Sequence, residues 1–278
     1  MSRYQGGKSR NGRKIVESMD KIIKKLQAQG HIPTQFTYLE PFMGMAGVLR
    51  HAVVKWPSSK FLVSDRNVGV VRMWQKLVKT GSTAFIPNTV TSTQFNLMKS
   101  LAFKDDSKAP IRGIVGHAMS FGGAYFSGFV GKYEANSKRN YMATAKKTLG
   151  QIMIMLKATS HLKIADPQCY SKFKVGKTHV VYCDPPYLRG KECSRNHLYQ
   201  KFDHDAFWSK MNKWSKTCIV FVSEESAPKD WVNIHSAIIR RSHNHYSKIR
   251  NDNPNADNVR TKYFSDSVFI HKRWKELL

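Results

Sequence analysis

The residues best suited to chemistry form the tetrapeptide Asp184-Pro185-Pro186-Tyr187, which follows the apolar run 179–183. Such a run is typical of a buried strand, so the tetrapeptide begins where that strand ends. Proline has a fixed φ and no N–H to donate, which leaves outward-facing carbonyls beside the Asp184 carboxylate. Acceptors next to the flat ring of Tyr187 suit a planar group with an exocyclic amine, such as adenine. The motif therefore predicts chemistry on an amino nitrogen of a nucleobase, with a plain strand-to-loop turn as the alternative.

A second group of residues has the order of a nucleotide-binding unit. A short apolar run at 36–39 precedes the Gly-rich turn 40–47, and another run at 61–63 ends close to Asp65. An acid about 20 residues beyond such a turn often binds ribose hydroxyls, and Asp65 lies 21 residues after Gly44. The turn lacks the G-x-G-x-x-G pattern, which favours a ligand that contains adenosine but no pyrophosphate.

Segments typical of strands and helices alternate along most of the chain. The predicted strands are 36–39, 61–63, 162–165, 180–183, 218–222, 234–239 and 263–270. Helical spacing of apolar residues predicts helices at 10–28, 48–53, 70–79 and 140–158, and from residue 203 onward. This order predicts an α/β sheet protein. Residues 80–158 interrupt the alternation with a stretch rich in Gly, Ser, Thr and aromatic residues, followed by basic residues.

The chain carries an extreme positive charge. Its 278 residues include 46 Lys and Arg against 19 Asp and Glu, a net charge of +27, with 41% hydrophobic residues for a core. Such a charge repels itself unless it serves a polyanion, and nucleic acid is the leading candidate. An anionic membrane surface is the rival, but no long basic amphipathic helix stands alone. We expect no signal peptide, and no apolar run reaches the ~18–20 residues of a membrane span.

The cysteines and histidines do not predict a metal site. The four cysteines lie at positions 169, 183, 193 and 218 and form no C-x-x-C pair. Reduced thiols are therefore expected. The pair His243 and His245 has no evident third ligand, which favours a polar loop over a metal centre.

Four motifs, taken together, resemble those of one enzyme family. They are Tyr4-Gln5-Gly6-Gly7-Lys8, Glu40-Pro41-Phe42-Met43-Gly44, Ser64-Asp65-Arg66-Asn67 and Asp184-Pro185-Pro186-Tyr187. This order resembles the Dam-type, alpha-group DNA adenine-N6 methyltransferases, which use S-adenosylmethionine, and the stretch 120–129 is similar to phage-borne members. The resemblance implies an α/β, Rossmann-like, seven-stranded methyltransferase sheet with an inserted target-recognition domain. We assign 1–79 and 159–278 to the catalytic domain and 80–158 to the insert.

The resemblance also implies a site. The residues assigned to the cofactor are Tyr4, Lys8, Glu40, Pro41, Phe42, Gly44, Asp65, Asn67, Asp166 and Asp184. Among them, Asp65 is expected to hold ribose hydroxyls, and Asp166 to lie near the cofactor adenine, although Pro167 follows it where an aromatic residue is common. The residues assigned to catalysis are Asp184, Pro185 and Tyr187. One departure from the family is Ala46, which replaces the second glycine of F-x-G-x-G and is followed by Gly47.

Basic residues interleaved with aromatic ones suit contact with nucleic acid. The assigned DNA contacts are Arg112, Tyr125, Lys132, Lys138, Arg139 and Arg250. Three of them, Arg112, Lys132 and Arg139, are candidates for reading guanine in the major groove. We expect double-stranded DNA as the partner, no membrane and no metal, and a monomer in the cytoplasm of a bacterial or phage-infected cell.

Three alternatives stay open on sequence grounds. An RNA adenine methyltransferase would use the same acid-Pro-Pro-aromatic platform, although the long insert favours DNA. A catalytically silent DNA-binding protein on the same scaffold is compatible with the departure at Ala46. Methylation of an exocyclic cytosine amine would more often place Ser at the position of Asp184.

Overall fold

A computed structural model describes Tyr4 and residues 7–131, 139–187, 202–241 and 262–278, with residues 239–241 and 262–265 described as backbone only. The strands form one seven-stranded sheet, in the spatial order β3-β2-β1-β4-β5-β7-β6. They are β1 (Thr37–Glu40), β2 (Lys60–Val63), β3 (Leu162–Ile164), β4 (His179–Cys183), β5 (Ile219–Glu224), β6 (Trp231–Arg241) and β7 (Lys262–His271). The predicted α/β class and all seven predicted strands are confirmed.

The direction of the strands places several loops at one edge of the sheet. Strands β1 to β5 run parallel to one another, and β7 runs antiparallel to both β5 and β6. The chain order reverses between β1 and β4, which are neighbours in the sheet. In open α/β sheets, ligands bind outside the carboxyl ends of the strands at such a reversal. The segments that follow β1, β2 and β4 therefore meet where a ligand is expected.

Eight α-helices surround the sheet in the described part of the chain. They are α1 (Gly12–Ala28), α2 (Leu49–Lys55), α3 (Val68–Thr80), α4 (Ser92–Ser100), α5 (Ala109–Ala118), α6 (Tyr141–Leu156), α7 (His204–Ser215) and α8 (Lys272–Lys275). The strands between them are apolar because both faces are covered. All six residues of β5 and four of the five residues of β4 are buried, as is typical of central parallel strands.

The segment 80–158 packs closely onto the rest of the molecule. Helix α5 lies against α3, and α6 lies against α2. Their apolar side chains belong to the same buried cluster as those of α1, β1 and β2. The two backbones of α3 and α5 approach each other at Gly69 and Gly113, where an added Cβ would overlap the facing chain. A target-recognition role for 80–158 remains a prediction.

Candidate active site

Four side chains form a buried group, here called the Lys8 cluster: Lys8, Asp184, Tyr187 and Asp266. The Lys8 Nζ lies 2.7 Å from Asp184 Oδ1, 2.7 Å from the Tyr187 hydroxyl and 3.4 Å from Asp266 Oδ1. The Tyr187 hydroxyl in turn donates a hydrogen bond to Asp266 Oδ1 at 2.6 Å. The side chains of Lys8, Asp184 and Asp266 are only 6%, 17% and 1% exposed. Their charges therefore interact with little screening by water.

Three distant parts of the chain build this cluster. The segment 184–187 follows β4, whereas Asp266 lies within β7, which is separated from β4 by β5. Lys8 precedes α1, and its carbonyl accepts hydrogen bonds from the N–H groups of Asn11 and Gly12. The first turn of α1 thus fixes the backbone that carries the ammonium, and the sheet fixes the two carboxylates.

Burial and charge set the protonation states of the cluster. Burial raises the pKa of Asp184 to about 6, a rise that Lys8 opposes and Asp266 reinforces. Burial alone would lower the pKa of Lys8, but Asp184 and Asp266 outweigh it, so this pKa lies above its ordinary value. Burial and the same two carboxylates raise the pKa of Tyr187 as well. At neutral pH, Lys8 is therefore an ammonium, Tyr187 keeps its proton, and Asp184 is mostly an ionised acceptor.

The Gly-rich turn after β1 has two residues in left-handed conformation, Gly44 at φ 45° and Ala46 at φ 55°. The Gly44 N–H donates to Asp65 Oδ2 at 3.0 Å, and the indole N–H of Trp74 donates to the Gly44 carbonyl at 2.9 Å. A Cβ at position 44 would lie 2.7 Å from the hydroxyl of Tyr4. Glycine adopts this backbone without strain. Position 44 therefore needs glycine both for its φ and for the tyrosine that covers it.

Asp65 and Asn67 lie next to this turn. The Asn67 N–H donates to Asp65 Oδ1 at 2.9 Å, and Asn67 Oδ1 caps α3 by accepting the Val70 N–H at 3.3 Å. Burial raises the pKa of Asp65, and the backbone N–H groups that it accepts oppose this rise. The buried Asn67 Nδ2 has no hydrogen-bond partner among the described residues. A buried donor left in this way fits an acceptor atom of a ligand.

Glu40 ends β1, and both Glu40 and the following Pro41 are buried. Glu40 Oε2 accepts a hydrogen bond from the Tyr38 hydroxyl at 2.8 Å. Burial raises the pKa of Glu40 well above its ordinary value despite that hydrogen bond, and the charges of Asp184 and Asp65 add to the rise. Three acids, Glu40, Asp65 and Asp184, thus meet where β1, β2 and β4 end, and each of them has a raised pKa.

Two residues assigned to the cofactor contact other parts of the chain. The Phe42 ring stacks on that of Tyr170, with 5.4 Å between the ring centres. The Asp166 side chain is 79% exposed and pairs with Arg72 at 2.6 Å. The Asp166 carbonyl accepts the Ser64 hydroxyl at 2.8 Å, which ties the loop after β3 to the end of β2. Cofactor contact by Phe42 and Asp166 remains a prediction.

The residues assigned to DNA lie in different environments. Arg112 is 1% exposed and pairs with Asp106 at 2.8 Å, and Tyr125 is buried with its hydroxyl donating to a backbone carbonyl at 3.1 Å. Because burial removes both side chains from the surface, DNA contact is not kept as a proposal for these two. Arg139 is exposed just before α6. Lys132, Lys138 and Arg250 lie outside the described residues.

Asp266 is the member of the cluster that the sequence analysis did not identify. The sequence predicts a strand over 263–270, and Asp266 interrupts its apolar pattern. Acidic residues are rarely buried in a strand unless they are paired, so this interruption was the available signal. The contact of Asp266 with Lys8 and Tyr187 could not be predicted, because the sequence does not reveal that β7 lies two strands away from β4.

The described part of the chain shows neither a metal site nor a membrane span. No group of three or more His, Cys, Asp or Glu residues there is placed to hold a metal ion. None of the helices described is both long and apolar enough to cross a membrane.

Comparison with known proteins identifies the family. No curated protein matches the chain. Two structures of the rRNA methyltransferase AviRa from Streptomyces viridochromogenes are similar to this chain, each at 11% identity. The structure at 1.5 Å covers 94% of this chain and 87% of that chain, with a TM-score of 0.38. The structure at 2.4 Å covers 80% of each chain, with a TM-score of 0.36. The model of the D12 class of N6 adenine-specific DNA methyltransferases matches residues 4–251. A match of that extent, on a chain whose motifs converge at one edge of the sheet, means that this protein belongs to the D12 class of N6 adenine-specific DNA methyltransferases.

Proposed function

We propose that this chain methylates the N6 amine of a flipped-out adenine in duplex DNA, with S-adenosylmethionine as donor and the Lys8 cluster as the catalytic centre. The observation that carries the proposal is the position of the Asp184 carboxylate. It lies after β4 at the carboxyl edge of the sheet, where the turn bearing Gly44 and the acid Asp65 also end their strands. One edge of the sheet thus offers both a nucleoside site and an acceptor for an amine.

The residues around Asn67 fit the cofactor. Bound S-adenosylmethionine supplies an electrophilic methyl group carried on a sulfonium. Asp65 holds two backbone N–H groups, one on each oxygen, and a carboxylate has lone pairs left for the hydroxyls of a ribose. The buried Asn67 Nδ2 supplies a donor for a ligand oxygen. The Tyr4 side chain lies against the turn at Gly44 and so covers one side of this region.

The residues after β4 fit the substrate base. Adenine N6 cannot be reached inside a duplex, so the base must leave the stack, at a cost of a few kcal/mol. Stacking on an aromatic ring such as Tyr187 returns ~1–3 kcal/mol. Asp184 and the Pro185 carbonyl then accept hydrogen bonds from the amine and orient its lone pair. Asp184 need not be a strong base, because the nitrogen becomes acidic only as it is alkylated.

The finer identity of the protein is also a proposal. The order of the four motifs supports a Dam-type enzyme similar to phage-borne members, acting as a monomer in the cytoplasm. The exposed Arg139 is a candidate phosphate or base contact, and Lys132, Lys138 and Arg250 are proposed contacts on sequence grounds. The net charge of +27 supports duplex DNA as a polyanionic partner.

Transfer of a labelled methyl group tests the substrate. S-adenosylmethionine with a tritiated methyl group would be incubated with the protein and either duplex DNA or structured RNA of equal length. The proposal expects label in DNA and background levels in RNA. Label in RNA alone would replace the proposal with RNA methylation, and binding of DNA without label in either would indicate a silent DNA-binding protein.

Calorimetric titration with S-adenosylmethionine tests the cofactor site separately. Asn67→Ser keeps an oxygen that can cap α3 but removes the Nδ2 donor, so the Kd should rise about tenfold, the equivalent of one hydrogen bond. Asn140 is a matched control, because its side chain caps α6 in the same way by accepting the Ala143 N–H. An equal rise in Kd for Asn140→Ser, or none for Asn67→Ser, would contradict the placement.

A further inference from the structure

Asp266 is an acidic residue in an almost fully buried position, where an acid normally destabilises the fold. It is 1% exposed and lies within β7, opposite Ala237 of β6. Its Oδ1 accepts the Tyr187 hydroxyl and lies 3.4 Å from Lys8 Nζ. A buried carboxylate destabilises a fold unless it is paired and hydrogen-bonded, so its presence here calls for a reason beyond packing.

The Lys8 ammonium and the substrate amine would share one carboxylate, which has two oxygens and lone pairs for both. Lys8 Nζ lies 2.7 Å from Asp184 Oδ1, and Asp184 is the proposed acceptor for the adenine amine. Removing one partner from a buried ion pair leaves an uncompensated charge and is strongly unfavourable. If Asp184 were the sole counter-ion of Lys8, any weakening of that contact as the amine binds would therefore leave the ammonium without a partner.

Asp266 supplies Lys8 with a second counter-ion. It lies close enough to Lys8 to take over as its counter-ion, and both carboxylates approach the same Nζ. It also accepts the Tyr187 hydroxyl at 2.6 Å, and that bond holds the hydroxyl end of the ring in place. The Asn11 Nδ2, 3.5 Å from Asp266 Oδ2, supports the carboxylate from the side of α1.

We propose that Asp266 is a positioning residue for methyl transfer: it anchors the hydroxyl end of the Tyr187 ring and offers Lys8 a second carboxylate, so that Asp184 can accept the adenine amine while Lys8 stays paired. The inference rests on the proposed function for the role of Asp184. It assigns a task to a residue in β7 that belongs to none of the four motifs.

The charged and titratable groups around Asp184 give the inference a pH signature. They come from the segment before α1 (Lys8), from β4 and the residues after it (Tyr182 and Tyr187), from β7 (Asp266) and from β1 (Glu40). Asp266 is the one that raises the pKa of Asp184 by its negative charge. Loss of this charge should lower that pKa and move the acid limb of the pH–rate profile to lower pH.

The experiment compares Asp266→Asn with wild type over a range of pH, with DNA and S-adenosylmethionine both varied. We expect kcat to fall on the order of 10²-fold, as misplaced catalytic groups typically cause, and the Kd for each substrate to change less than about threefold. The acid limb of kcat/KM should move down by about one pH unit. Ser267→Ala is the matched control, because Ser267 is the next residue of β7 and is also buried. It should change neither kcat nor the limb.

A second variant separates the effect of the charge of Asp266 from the effect of its position. Asp266→Glu retains the charge but displaces it, so kcat should fall while the acid limb stays near its wild-type position. Thermal unfolding verifies that each variant is folded. A kcat for Asp266→Asn within about threefold of wild type, or an unmoved acid limb, overturns the inference.

Failure of the proposed function itself has a different outcome. If wild type transfers no methyl group, the titration of the Asp184 carboxyl in ligand-free protein, followed by ¹³C NMR and assigned with Asp184→Asn, still tests the electrostatic coupling of Asp184 to Asp266. A midpoint that Asp266→Asn leaves unchanged overturns it, and a lowered midpoint supports the electrostatic half of the argument.

Discussion

Asp184 is a carboxylate whose burial works against its ionised form. Burial raises its pKa to about 6, with Asp266 reinforcing the rise and Lys8 opposing it. The ionised form is nevertheless the one that can accept hydrogen bonds from both protons of an amine. The Lys8 ammonium therefore does more than hold the loop in place, because it keeps Asp184 ionised at neutral pH in a site nearly closed to water.

This charge should be visible in the pH dependence of stability. A folded-state pKa of about 6, against ~3.9 in the unfolded chain, means that the native state binds this proton more tightly. The resulting stabilisation is complete below the unfolded pKa and is lost as pH rises through the folded pKa. Asp184→Asn lacks the titration. Its free energy of unfolding, relative to that of wild type, should thus increase between about pH 4 and about pH 8, by on the order of 2 kcal/mol.

Urea unfolding of both proteins at the two pH values measures this difference. A variant that loses stability relative to wild type as pH rises would show that the Lys8 pair outweighs burial, contrary to the raised pKa. Activity is a separate readout, and we expect it to fall about 10²–10⁴-fold in Asp184→Asn near neutral pH, where Asp184 of wild type is ionised.

Ala46 bears a local strain that a glycine would not. Its φ of 55° is a left-handed conformation that costs an L-residue roughly 1–2 kcal/mol. Ala46→Gly relieves this strain but adds freedom to the unfolded chain, so the net gain in unfolding free energy should be about 0.5–1 kcal/mol. Ala52→Gly is the matched control in helix α2, where glycine is unfavourable, and it should lower stability. Equal effects of the two variants would contradict the strain at Ala46.

Among the elements, the contact of α3 with α5 depends on two glycines. A Cβ on Gly113 would overlap the Gly69 carbonyl and approach Val70 N at 2.9 Å, and both of these atoms are backbone. Gly113→Ala should therefore force the helices apart and destabilise the protein by about 2 kcal/mol, within the range for overpacked sites. The measurement is the shift in the midpoint of urea unfolding.

Gly150→Ala provides the control for that prediction. Gly150 also lies within a helix, α6, but its added Cβ would have Thr83 Cγ2 at 3.7 Å as the nearest atom. Alanine has the better helix propensity, so this variant should be neutral or stabilised by up to about 1 kcal/mol. A destabilised Gly150→Ala together with a tolerated Gly113→Ala would reverse the packing account.

The strands were predictable from the sequence, and part of the helical segment 80–158 was not. Short apolar runs such as 180–183 identify buried strands because both faces of the sheet are covered. Helix α5 escaped detection because Gly113 and Gly116 lower its helix propensity. Its packing against α3 stabilises the helix despite the low helix propensity of its sequence. Contacts between segments that are distant in the chain cannot be predicted from a short stretch of residues. Strand β6, Trp231–Arg241, is longer than the predicted 234–239 because it pairs with β7 from one end to the other.

At the scale of the whole molecule, the net charge of +27 should dominate the affinity for DNA. Each phosphate contact releases counter-ions, so the affinity falls with salt at a slope close to the number of contacts. We expect the Kd for duplex DNA to rise by about 10³-fold or more between ~50 and ~200 mM salt. Fluorescence anisotropy over that range measures the slope, and a Kd that does not change with salt would contradict a role of the basic residues in binding phosphates.

Two variants test which exposed charges contribute to this salt dependence. Arg139→Gln removes an exposed charge from the proposed DNA-binding region and should reduce the slope by about 1. Lys163→Gln removes an exposed charge from β3 and should leave the slope unchanged. Equal slopes for these two variants would place the DNA elsewhere on the molecule.

Most of the proposed site could be assembled from sequence because its motifs follow directly on strands. Asp65 and Asp184 come after β2 and β4, and parallel strands bring such positions to one edge. Asp266 could not be found in this way, since it depends on β7 lying beside β5. The correction of Arg112 and Tyr125 has the same origin, because a sequence does not distinguish a buried arginine with a carboxylate partner from an exposed one.

Nucleoside mass spectrometry is the most direct test of the central claim. Unmethylated duplex DNA is incubated with S-adenosylmethionine and either wild type or Asp184→Asn, digested to nucleosides and scanned for methylated bases. The account predicts N6-methyladenine with wild type and none above background with the variant. Absence of any methylated base with wild type while DNA binding is intact, or a methylated cytosine in place of adenine, would contradict it.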